Sequence, residues 1–163
     1  MRTVLLSLVA MGVLSGFGIA AENREDDAQL QQLAREAATA AEALNRSGTQ
    51  IPRNYSIRRS ILHLSDRIAR TAKEWPGVPS SDDMEQHRQK CRDRARRLLE
   101  DSENLLEAIR SFRNSAEAAH DVGATREARR MITSAWTLRV TVRKLQREAE
   151  GLGTGRVANG VVW

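Results

Sequence analysis

Met84, His87 and Cys91 stand at i, i+3 and i+7, so on a helix all three project from one face. Thioether, imidazole and thiolate together form the donor set that Cu(I) prefers, with zinc the second choice. Nearby carboxylates at Glu25, Asp26 and Asp27 would add harder donors. The same residues have a plainer use: Met and Cys fill helical seams, and a His at the end of a bundle donates to a carboxylate. His87 and Cys91 also have the i, i+4 spacing of a base and a thiol nucleophile. The sequence around them offers no third orienting group and no Gly-rich, oxyanion-holding turn, so no catalytic residue is assigned. Cys91 is the sole cysteine, which rules out an internal disulfide and leaves a buried thiol, an intermolecular bridge or a ligand.

These residues need a rigid element to align them. From Met84 the small or apolar positions continue through His87, Cys91, Ala95, Leu98, Ser102, Leu105, Ile109, Phe112, Ala116 and Ala119, always in steps of three or four. That rhythm predicts one long helix over 82–120, uninterrupted by Pro or Gly, with Asp82 and Glu85 as N-cap and N3 partner. Gly123 is suited to the left-handed turn after it.

Three further helices follow from the same periodicity. The first covers 26–45, with Leu30, Leu33, Ala37, Ala40 and Leu44 on its seam, stopped at Ser47-Gly48. The second runs from Ser56 to Trp75 through Ile57, Ile61, Leu64, Ile68 and Thr71, and ends at Pro76-Gly77, with His63 on its outer side. The fourth, capped by Thr125, carries Ala128, Met131, Ala135, Leu138, Val142, Leu145 and Ala149, with Trp136 covering the edge of that seam. Short connections make sequential helices antiparallel, so the predicted fold is all-α, an up-down-up-down four-helix bundle with coiled-coil-like seams. The bundle domain occupies 21–150, followed by a flexible, Gly-rich tail over 151–163.

Lengths raise a difficulty. The third helix spans roughly 57 Å and the first two only about 30 Å each. If the first hairpin lies along the N-terminal half of the third helix, the far end has two helices alone. Ile109, Phe112 and Ala116 would then share an exposed tip with Met131 and Ala135, inviting a homodimer or a protein partner. A kink near Ser102 that folds the helix back is the alternative.

Arg2, the apolar run Val4 to Leu14 and the small residues Ser15 to Ala20 make the pattern of a secretory signal cleaved after Ala20. An uncleaved anchor over Thr3 to Ala21 is the alternative; Gly12, Gly16, Gly18 and the polar switch at Glu22 favour cleavage. The location implied is periplasmic or extracellular. The chain carries a formal charge of +5 and a basic run, Arg88, Lys90, Arg92, Arg94, Arg96 and Arg97, relieved by Asp93. Export and the lack of interleaved aromatic residues argue against nucleic acid. A solvated face with i, i+4 partners such as Arg96–Glu100 accounts for the run, and an anionic envelope surface is the partner its charge would suit. The end Gly160-Val-Val-Trp163 has the form of a strand added to a PDZ-type groove, unless Trp163 folds back on the bundle.

Two stretches, Ser81-Asp-Asp-Met84 and Ala119-His-Asp-Val-Gly-Ala-Thr-Arg-Glu-Ala128, resemble the haem-binding four-helix cytochromes of the bacterial periplasm. The resemblance covers about a third of the chain and implies the bundle and its compartment. It does not bring the haem ligands: the first mature helix has no Met, the fourth no His, and no Cys-x-x-Cys-His occurs. The sequence thus points to an exported, non-enzymatic bundle that binds a protein or an envelope surface. A copper-, zinc- or cofactor-binding bundle centred on Met84, His87 and Cys91 is the alternative.

Overall fold

The computed structural model describes residues 7–77 and 83–151, with the backbone alone over 7–27. Four helices, α1 (Ser7–Thr49), α2 (Arg58–Lys73), α3 (Met84–Ala118) and α4 (Val122–Gly151), make up its regular structure. Each packs on its neighbours in the order α1, α2, α3, α4 and back to α1, while the diagonal pairs stay apart. This is the four-helix bundle expected from the periodicity. The segments assigned to the signal and the tail lie outside the described residues, apart from the backbone of 7–20 and Gly151; the side chains of Glu25, Asp26 and Asp27 do too. Among the described residues no helix is long and apolar enough to cross a membrane.

The seams are those the spacing marks, except that Ala119 lies just past the end of α3 and is exposed. Along α3, Cys91, Ala95, Leu98, Leu105, Ile109, Phe112 and Ala116 are buried, and all seven α4 positions from Ala128 to Ala149 are buried against them. Helix α3 is continuous, so the kink near Ser102 is absent. Ser102 satisfies its hydroxyl on the Leu99 carbonyl at 2.8 Å and stays inside. Its buried face is wider than one stripe, taking in Leu106, Ala108 and the carboxylate of Asp101.

Helix α1 runs through Ser47-Gly48 to Thr49 rather than stopping there. Gly48 serves a close approach: a Cβ on it would lie 3.0 Å from Leu62 Cδ2 of α2. Small residues along α1, at Ala34, Ala37, Ala38 and Ala41, are buried in the same way. Where α1 and α2 draw together, Asn45 donates to the Leu62 carbonyl at 3.0 Å and to Ser65 Oγ at 3.2 Å. Ser65 in turn donates to the Ile61 carbonyl at 2.8 Å. The buried face of α2 is therefore Ile61, Ser65, Ile68, Ala69 and Ala72, while Ile57, Leu64 and Trp75 sit at its margin.

The exposed two-helix tip does not exist. Ile109, Phe112, Ala116, Met131 and Ala135, expected to meet a partner, are all buried within the chain at 0–1% exposure. The connection between α1 and α2 reaches this end and closes it with Ile51 and Tyr55. The Tyr55 ring meets Phe112 edge-on with centroids 5.1 Å apart, and its hydroxyl donates to Asp121 Oδ2 at 3.1 Å. Burial and the Asp121 carboxylate raise the Tyr55 pKa, keeping the phenol a donor. Helix α2 lies beside the C-terminal half of α3, where Arg67 pairs with Asp101 and Tyr55 meets Phe112.

The turn between α3 and α4 also differs from expectation. His120, at φ 55°, takes the left-handed position rather than Gly123. The His120 and Asp121 amides donate to the Glu117 and Ala116 carbonyls at 3.1 and 3.0 Å, closing the paired bonds of a Schellman end. Asp121, not Thr125, caps α4, accepting from the Ala124 amide at 2.9 Å. Gly123 falls inside α4. A left-handed backbone costs a residue bearing a Cβ about 1 kcal/mol, so His120→Gly is expected to stabilise the fold by up to that amount in a denaturant titration. Destabilisation by this change would mean that the imidazole is needed at the turn.

Candidate functional site

Of the three soft donors, the structure brings two together. His87 Nε2 lies 3.5 Å from Cys91 Sγ, one turn apart on the inner face of α3, and both residues are buried. Met84 is on the same face, at the first turn, and half-buried. No group of three or more His, Cys, Asp or Glu side chains is placed to hold a metal among the described residues. The pair is therefore a buried thiol–imidazole contact inside the seam. The other histidines are dispersed, His63 on the outside of α2 and His120 in the last turn, both exposed.

The basic run of α3 is only partly a free cationic surface. Glu85 gathers Arg92 at 3.2 Å and Arg88 at 3.8 Å, and Gln89 donates to Asp93 at 3.0 Å. The expected Arg96–Glu100 pair is not among the ion pairs of the described residues; Arg96 and Arg97 face solvent. Arg92 Nε and Arg94 Nη1 are buried without hydrogen-bond partners among the described residues, although the Nη atoms of Arg92 reach Glu85 and Gln89.

A second cationic face lies on α4, directly opposite its buried seam. Arg129, Thr133, Trp136, Val140, Arg143 and Arg147 follow one another in steps of four and three, and all six are exposed. By helical geometry they fall within about a third of the circumference. Trp136 and Val140, at 50% and 52% exposure, form the apolar middle of this stripe. Arginines stand at both ends, and no acidic residue occurs between Glu127 and Glu148. The Trp136 ring is held in place from the side: the Arg139 guanidinium lies 5.2 Å from its centroid, and Arg139 is fixed to Glu103 of α3 at 2.9 Å. Glu117 and Glu103 also reach Arg129 and Arg143, at 3.3 and 3.9 Å, from the α3 side. Trp136 thus points away from the seam it was expected to cover. Its spacing to Thr133 and Val140 is the same as a core spacing, and only the placement of the neighbours distinguishes the two faces.

No family model, characterised protein or solved structure matches this chain.

Proposed function

We propose that the chain is an exported, non-enzymatic helical bundle that docks on an anionic envelope surface through the outer stripe of α4. The observation that carries this is the composition of that stripe: an exposed Trp–Val centre between arginines, on twenty residues free of carboxylates. An indole suits the boundary between water and acyl chains, and each Lys or Arg beside an anionic leaflet contributes about 1 kcal/mol. The signal-like pattern before Ala20 supports an exported location. His87 and Cys91 are buried and contact one another at 3.5 Å, which supports a packing role for them.

Vesicle co-sedimentation tests this reading. The full chain is expected to pellet with phosphatidylglycerol vesicles and not with phosphatidylcholine vesicles, with binding falling steeply as salt rises. Arg143→Gln with Arg147→Gln should weaken binding roughly thirtyfold, and Trp136→Ala should remove the blue shift of indole emission on binding. Equal binding to both vesicle types, or none to either, would overturn the proposal.

A further inference from the structure

We infer a second binding site, for a small phosphate monoester with an apolar body, in the cavity where the end of α1 meets the start of α2. This cavity, of about 770 Å³, falls in the range of small-molecule sites, roughly 300–1,000 Å³. It lies away from the α4 stripe, since α2 stands diagonally across the bundle from α4.

The lining carries the chemistry. Arg53, Arg58, Arg59 and His63 surround the cavity, and Tyr55 and Leu62 give it an apolar wall. Among the described residues Asp66 is the one carboxylate of the lining, and it is paired with Arg70 at 2.6 Å. Arg58 is half-buried and fixed by donating to the Thr49 carbonyl at 3.0 Å, with its remaining N–H groups available. Arg53 and Arg59 form no ion pair among the described residues. Three arginines lining one open cleft can supply several donors to the oxygens of a phosphate, and the apolar wall accepts its organic part.

The start of α2 adds an electrostatic argument. It has no capping side chain and no acidic residue in its first turn; Arg58 and Arg59 stand there instead. Cations at the positive end of a helix dipole oppose the arrangement that stability favours. A bound dianion would relieve both the dipole and the arginines, and such local conflicts are expected where a sequence serves binding.

Isothermal titration of the full chain with hexyl phosphate tests the site. Saturable binding is expected, with inorganic phosphate and hexanol each weaker by roughly tenfold or more. Arg53→Gln with Arg59→Gln should weaken hexyl phosphate by roughly tenfold or more without lowering the melting temperature, since both side chains are exposed. Trp136→Ala should leave it unchanged, which separates this site from the α4 stripe. Vesicles containing phosphatidic acid, offered to the parent and the double variant with Arg143→Gln and Arg147→Gln added to each so that the α4 stripe does not hold them, distinguish the source of the ester. If the double variant loses them as well as hexyl phosphate, the ligand is a lipid headgroup; if it loses hexyl phosphate alone, the ligand is soluble. The inference is overturned by the absence of saturable heat, by equal affinity for hexanol, or by a double variant that binds as the parent does.

Discussion

Truncating Phe112 to Ala is expected to cost about 4 kcal/mol, on the order of 10–15 °C in Tm, because nothing can refill the space it leaves. The ring is at 0% exposure near the end of α3, capped edge-on by Tyr55. Its neighbours on the seam, Ile109 and Ala116, are held by α3 itself and cannot move inward to occupy the void. Val122→Ala, only ten residues later in sequence but 72% exposed, should stay within about 0.5 kcal/mol of the parent. Denaturant unfolding of both variants checks the contrast. A Phe112→Ala loss as small as that of Val122→Ala would mean that the 50–57 connection does not close this end, and the two-helix tip would return.

The second large effect is at the cross-link between α2 and α3. Arg67 donates through Nε to Asp101 Oδ2 at 2.7 Å and through a second nitrogen to Oδ1, a fork-to-fork pair. Its two sides are unequally wet: the Asp101 side chain is 11% exposed and that of Arg67 is 45%. The hydrogen bond to Asp101 accordingly raises the Arg67 pKa, and the guanidinium stays charged throughout the usable range. Removing Asp101 leaves an arginine that water can reach, so Asp101→Ala should cost about 2 kcal/mol. Removing Arg67 strands a carboxylate inside the bundle, so Arg67→Ala should cost more, about 3 kcal/mol. Unfolding free energies of the two variants and of their double mutant measure this asymmetry, and the reverse order would show that Asp101 is better solvated than its burial indicates.

Glu42 and Lys73 form a more exposed version of the same link between α1 and α2. The hydrogen bond to Lys73 lowers the Glu42 pKa, so whatever this pair adds is present above the carboxylate's ordinary range and is lost as pH falls through its lowered value. Its exposure makes it the salt-sensitive member of the two.

The sequence made the seams legible because a buried stripe of a straight helix must recur every three or four residues, and Cys91 to Ala116 and Ala128 to Ala149 do so without a gap. What escaped was carried by residues outside that rhythm. Ser65 and Asp101 are inside, but as polar residues they leave no trace in an apolar period. Tyr55 closes the core from a connection, where periodicity has no meaning. Gly48 read as a stop, although its role is to let α2 come close. Trp136 was expected at the edge of the α4 seam but stands on the opposite, wet side, in helical step with Thr133 and Val140. The cationic cavity brings Arg53 beside His63 through a turn in the chain, so no linear pattern announces it.

The ring-like order of packing has a kinetic consequence. Because every helix rests on its sequence neighbour, the α1–α2 and α3–α4 hairpins can each assemble from contacts short in chain separation. The α1–α4 seam is the step that joins distant parts of the chain, and its closure is where the entropy of a long loop must be met. Ala34 and Ala41 stand two heptads and one heptad before Gly48, on the side of α1 that faces α2, so substitutions there should act on the first hairpin rather than on the closing α1–α4 step.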